Sequence, residues 1–124
     1  MKKLLIQACS LVIALSLTAS GHDATPNQGG KFEAGKNTFL LNGEPYVIKA
    51  AELHYPRIPR PYWDNRIKMC KALGLNTICL YVFWNAHESE PDKFDFTGQN
   101  DLREFVKLCQ ANGMNVILRP GPYV

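Results

Sequence analysis

Three short runs in this sequence gather residues able to do chemistry: His54-Tyr55-Pro56-Arg57-Ile58-Pro59, Tyr81-Val82-Phe83-Trp84-Asn85-Ala86-His87-Glu88, and Arg119-Pro120-Gly121-Pro122-Tyr123. Between them they offer flat aromatic faces, hydrogen-bond donors and a carboxylate. A sugar needs such a wall, because its C–H faces stack on aromatic rings while its hydroxyls demand fixed polar partners. Metal chemistry is disfavoured: no cysteine pair has CxxC spacing, and His54 and His87 are not arranged with the cysteines. No Gly-rich phosphate loop is present where a dinucleotide fold would place it.

Each run follows an apolar segment that could position it. Val47 to His54 is a strand candidate. Asn76 to Phe83 is β-branched and aromatic without polar alternation, as expected of a strand buried on both faces. Met114 to Leu118 is another continuous apolar strand. Helices are predicted between them. The first covers Pro61 to Leu73, with Trp63, Ile67, Cys70 and Leu73 on one face and Gly74 as its stop. The second runs from about Leu102 to Asn112, with Leu102, Phe105, Val106 and Cys109 on one stripe, Asp101 and Glu104 resembling a capping box, and Gly113 ending it.

Strand, helix, strand, helix, strand implies a parallel sheet with right-handed crossovers. Either an open doubly wound sheet or a (β/α)8 TIM barrel could contain it. The missing phosphate loop and the crowding of functional residues at strand C-terminal ends favour the barrel, an α/β fold that builds its sites there. A full barrel needs roughly 250 residues. Only the first three strands and two helices are expected here, so residues 49–124 read as a truncated catalytic domain. Upstream, residues 32–48 are predicted to form a β-hairpin around Asn42-Gly43-Glu44, a strong turn signal.

Residues 1–20 have the pattern of a secretory signal: Lys2 and Lys3, then an apolar run, then small residues at Thr18-Ala19-Ser20. The expectation is an exported protein, periplasmic, cell-surface or secreted, that meets the membrane only through this transient segment. Residues 21–31 read as a linker. Cleavage would remove two of the 14 Lys+Arg and no acid, lowering the net charge from +3 to +1. Such a chain has no electrostatic footprint for nucleic acid. Cys70, Cys79 and Cys109 would remain, an odd number in an oxidising compartment. Burial as small hydrophobes is expected of them, and a Cys70–Cys109 bridge between neighbouring helices stays open.

The segments LNGEP (Leu41 to Pro45), AELHYPRIP (Ala51 to Pro59), Trp63 with Arg66, GLNTICLYVFWNAHE (Gly74 to Glu88) and ILRPGPYV (Ile117 to Val124) together resemble glycoside hydrolase family 35. The resemblance covers nearly the whole chain from Phe39. It implies a retaining β-galactosidase on a (β/α)8 barrel, acting on β-galactoside oligosaccharides or glycans without metal or organic cofactor. It implies that Tyr81 helps hold the galactose; Asn85, four residues on, is the second candidate substrate-binding residue. It also implies that both catalytic glutamates, one after the fourth strand and one after the seventh, lie outside this sequence, which alone would be inactive. An exo-β-glycosidase of different sugar specificity and a carbohydrate-binding remnant without hydrolase activity are the alternatives.

For the remaining polar residues, structural roles compete with functional ones. Glu88 is expected to fix its loop by pairing with Arg57 or a neighbouring donor. Glu52, within the first strand, would need a cation if buried, and Arg119 is the candidate. His54 and His87 could be sugar ligands or internally satisfied histidines. Trp84 and Asn85 could line a pocket or brace the strand end, and Arg57 could orient a neighbour.

Overall fold

The computed structural model describes residues 30–121. They form two separate three-stranded sheets and a layer of helices, an α/β arrangement. The leader-like residues 1–20, the expected linker up to residue 29, and Tyr123 lie outside the described residues. Among those described, no helix is long and apolar enough to cross a membrane.

The first sheet is antiparallel, with strands β1 (Phe32–Ala34), β2 (Phe39–Leu41) and β3 (Glu44–Tyr46) in that order. Asn42 and Gly43 both take positive φ, 56° and 85°, as a tight hairpin turn requires. The predicted hairpin is therefore present, but it gains a third strand, β1, and its second arm stops at Tyr46 instead of continuing to Ile48. Asn76 explains the early stop. Its side chain donates to the Val47 carbonyl (2.8 Å) and accepts from the Lys49 N–H (2.9 Å), drawing the chain away toward the second sheet.

The second sheet is parallel: β4 (Ala50–Glu52), β5 (Thr77–Tyr81) and β6 (Asn115–Arg119), with β5 central. Side chains alternate along each strand. Ile78 and Leu80 of β5 are fully buried under the helices, with Ala51 and Val116 beside them, so Thr77, Cys79 and Tyr81 take the opposite face. Only β5 fits the expectation of burial on both faces. On β6 the apolar Ile117 and Leu118 are 37% and 49% exposed, because among the described residues this strand has a neighbour on one side alone.

Helix α1 (Trp63–Ala72) buries Trp63, Ile67 and Cys70. It starts two residues later than predicted, since Pro61 lies in a preceding 3-10 turn, Arg60–Tyr62. Leu73 is not on the buried face. It caps the helix, 79% exposed, and Leu75 beyond Gly74 packs on the core instead. A four-residue helix not expected from the sequence, α2 (Trp84–His87), follows β5. Helix α3 (Leu102–Ala111) buries Phe105 and Cys109, and the Asp101 carboxylate accepts the Glu104 N–H at 2.9 Å, as the capping signal predicted. Trp63 meets Phe105 edge-on at 5.3 Å, locking the helices together, while its indole donates to the Ile58 carbonyl at 2.8 Å. Core packing thus also fixes the loop after β4.

A polar chain ties the two sheets. Asn115 Nδ2 donates to the Tyr46 oxygen (2.7 Å), Tyr46 and the Thr77 hydroxyl are 3.0 Å apart, and Thr77 donates to Asn76 Oδ1 (2.9 Å). Tyr46→Phe breaks this chain while preserving the ring. It is expected to lower stability by about 1–3 kcal/mol, the usual cost of leaving half-buried partners unpaired, read from the urea midpoint. An unchanged midpoint would mean the chain contributes nothing to holding the sheets.

Candidate functional site

The C-terminal ends of β4, β5 and β6 converge, and their last residues and following turns enclose a cleft of about 370 Å³. Glu52, His54, Arg57, Tyr81, Phe83 and Arg119 line it. Strand register explains the convergence: Glu52 pairs with Cys79, and Tyr81 pairs with Arg119, so these side chains share the face turned away from the helices. The volume falls within the range of small-molecule sites. A comparable groove between the two sheets, lined by Phe32, Leu41, Ile48, Val116 and Ile117 among others, carries no charged side chain.

Glu52 is the hub of the polar contacts. One carboxylate oxygen accepts from His54 Nε2 at 2.8 Å and the other from Arg119 Nη1 at 3.0 Å. The predicted Glu52–Arg119 pair is therefore formed, though at a half-exposed position. The His54 hydrogen bond foremost, and then the Arg119 charge, hold the Glu52 carboxyl below its ordinary range. Such a carboxylate stays ionised and is ill suited to donate a proton. Aromatic rings form the rest of the wall. The Arg119 guanidinium lies 5.0 Å from the Tyr81 ring centre, the Arg57 guanidinium 4.7 Å from that of Phe83, and Tyr81 and Phe83 are 5.1 Å apart. His54 meets Phe83 edge-on at 4.9 Å. At Gly121 a side chain would collide with the Tyr81 phenol, so glycine leaves room for the ring there.

The other sequence candidates fall into supporting positions. His87 is fully buried. Its Nδ1 donates to the Asp95 carbonyl at 2.8 Å, its Nε2 accepts a short hydrogen bond from the Tyr55 hydroxyl, and its ring stacks on Phe96 at 4.3 Å. It is an internally satisfied core histidine, whereas His54 lines the cleft. Glu88 accepts the Asp92 N–H at 3.0 Å and fixes its loop through that neighbour, with Arg57 engaged on Phe83 instead. Trp84 donates to the carbonyls of Pro120 (2.8 Å) and Gly121 (3.1 Å), bracing the chain after β6. Asn85 is exposed on α2 and does not line the cleft. The structure thus brings Tyr81 into the cleft and leaves Asn85 outside it. Phe83 was not singled out as a site residue, although its place two residues after Tyr81 was the available signal.

Cys70, Cys79 and Cys109 are all thiols, so no Cys70–Cys109 bridge is formed. Burial, with Cys70 nearby, pushes the Cys109 thiol up to about 12. Among the described residues, no three His, Cys, Asp or Glu side chains gather where a metal could sit.

Burial also pushes the Tyr55 phenol up to about 12 from its ordinary 10. A raised folded-state pKa stabilises fully below the unfolded value and is lost as pH rises through the folded one. Stability is therefore expected to fall between pH 10 and 12, on top of a decline from Cys109 that begins nearer its ordinary 9. In urea titrations against pH, Tyr55→Phe should remove the phenol's part of this slope and keep the rest. An identical slope in both proteins would contradict the assignment.

Comparison with known proteins gives concordant matches. The profile of Glycosyl hydrolases family 35 matches residues 38–124. A β-galactosidase of Xanthomonas manihotis is 47% identical over 113 residues, covering 91% of this chain and 19% of that protein. A Bos taurus β-galactosidase is 41% identical over 118 residues, covering 94% and 18%. The human β-galactosidase-1-like protein 2 is 49% identical over 86 residues, covering 69% and 14%. The chain spans less than a fifth of the length of these relatives.

Proposed function

The chain belongs to glycosyl hydrolases family 35, and from that membership we propose that its strand-end cleft seats the terminal β-linked galactose of an oligosaccharide or glycan that the full-length protein hydrolyses with retention. The three parallel strands are then the first of a closed (β/α)8 barrel, whose sites lie at the C-terminal ends of the strands. The observation that carries this reading is the convergence of Tyr81, Phe83, His54 and Arg119 on one cleft at that pole.

Tyr81 is the principal sugar contact. A phenol donates, accepts and offers a flat apolar face in one side chain. Asn85, exposed on α2 and outside the cleft lining, is kept as a second proposed contact, with the sugar or its leaving group. Retaining hydrolysis uses two carboxyl groups about 5–5.5 Å apart across the sugar. Among the described residues the cleft contains a single carboxylate, Glu52, and both its oxygens are engaged. Residues 30–121 therefore supply the galactose seat, and the cleaving pair comes from elsewhere in the longer protein. No metal or organic cofactor enters this scheme, because paired carboxyls suffice. The leader-like pattern of residues 1–20 supports work outside the cytoplasm.

In the full-length protein, Tyr81→Phe is expected to lower kcat/KM on a chromogenic β-galactoside by roughly 5- to 150-fold, the equivalent of about 1–3 kcal/mol for one unpaired polar contact. Unchanged kcat/KM would remove Tyr81 from the sugar seat. Faster turnover of a β-glucosaminide than of the β-galactoside would keep the barrel and replace the sugar.

A further inference from the structure

Glu52 and Arg119 sit on the two outer strands of the parallel sheet, with all of β5 between them. Strands in a sheet lie about 4.8 Å apart, so their backbones are roughly 10 Å from each other. Glu52 is also two residues out of step, since the β6 residue in its own row is Ile117. The ion pair is therefore diagonal, crossing the face of β5 from which Tyr81 projects. Its carboxylate is steadied on the other side by His54, which in turn rests edge-on against Phe83. Arg119, the far end of the strap, lies over the Tyr81 ring.

Exposed ion pairs add little to stability, and these two side chains are 42% and 49% exposed. An arginine has many rotamers, however, and one tethered at its guanidinium keeps few of them. The geometric effect of the pair thus exceeds its energetic one. Without the tether, Arg119 is free to swing away from Tyr81 and into the cleft.

We propose that Glu52 is a positioning residue for the sugar seat: by strapping Arg119 across β5 it fixes the cation over Tyr81 and so presets the ring that receives galactose. This rests on the galactose reading above. Preset geometry lowers the ordering cost of binding, so its loss weakens substrate affinity ahead of the chemical step. The strap needs the ionised carboxylate. The groups facing it are His54 on its own segment, Arg119 from β6, Tyr81 and Cys79 from β5, and Arg57 within the same cleft. Glu52 has a lowered pKa, so the strap is complete above the ordinary carboxylate value of 4.5 and lost as pH falls through the depressed folded one.

The test compares wild type and Glu52→Gln in the full-length protein, with KM and kcat for a β-galactoside measured from neutral to acid pH. Glu52→Gln is isosteric, and unchanged thermal midpoints would verify its fold. At neutral pH it is expected to raise KM roughly three- to tenfold with kcat within about twofold. As pH falls, KM of the wild type should climb toward that of the variant, whose own profile lacks this rise. Arg119→Lys, which keeps a cation for Glu52 without the planar guanidinium, should rescue less than half of the affinity lost in Arg119→Ala. Coincident KM profiles for wild type and Glu52→Gln would overturn the strap and leave the sugar seat standing. Absence of galactoside binding in the wild type would overturn the seat itself, and the strap with it.

Discussion

Burial of Ile78 and Leu80 beneath two helices is the constraint on which the rest of this structure depends. A β-strand has only two faces, so committing these residues to the helical side commits Thr77, Cys79 and Tyr81 to the other. Thr77, at the strand start, meets Tyr46 and anchors the antiparallel sheet. Tyr81, at its end, enters the strand-end cleft. One apolar decision therefore sets both the lower attachment and the upper site. A one-residue slip of β5 would bury the phenol under the helices and dismantle both.

The helices reinforce this through a second contact set. Trp63 packs against Phe105 while donating to the Ile58 carbonyl, and Gln99 donates to the Tyr55 carbonyl at 3.1 Å. The loop after β4 is thereby held from below. Tyr55 and His87, buried and hydrogen-bonded to each other, join that loop to the end of α2. Most polar residues around the cleft are thus braces. Those that line it, Glu52, His54, Arg57 and Arg119, mix one acid with two permanent cations and stand against two aromatic rings. Such a lining combines fixed hydrogen-bonding groups with flat ring faces, the mixture found in small-molecule sites.

Much of this was legible in the sequence because the signals are local. Asn42-Gly43 announces its turn by steric tolerance of positive φ, Asp101 its cap by hydrogen-bonding chemistry, and Thr77 to Tyr81 its strand by β-branched and aromatic residues without polar alternation. The Glu52–Arg119 pair could be anticipated from charge and strand position. What escaped depends on partners far along the chain. The strand Phe32–Ala34 is only three residues long and carries Glu33, too short for alternation to register. Leu73 satisfies the helical period yet lies beyond the last turn, so it is exposed. Helix α2, four residues, has no periodicity to read. The Tyr55–His87 bond joins residues 32 apart, and nothing in the intervening sequence signals it.

A crystal structure of the full-length protein with galactose bound is the most direct measurement. The sugar is expected at the C-terminal pole of the parallel strands, with one hydroxyl within hydrogen-bond distance of the Tyr81 phenol and the Glu52–Arg119 pair intact. Galactose seated at the opposite pole, in the groove beside Tyr46, would contradict the placement of the site.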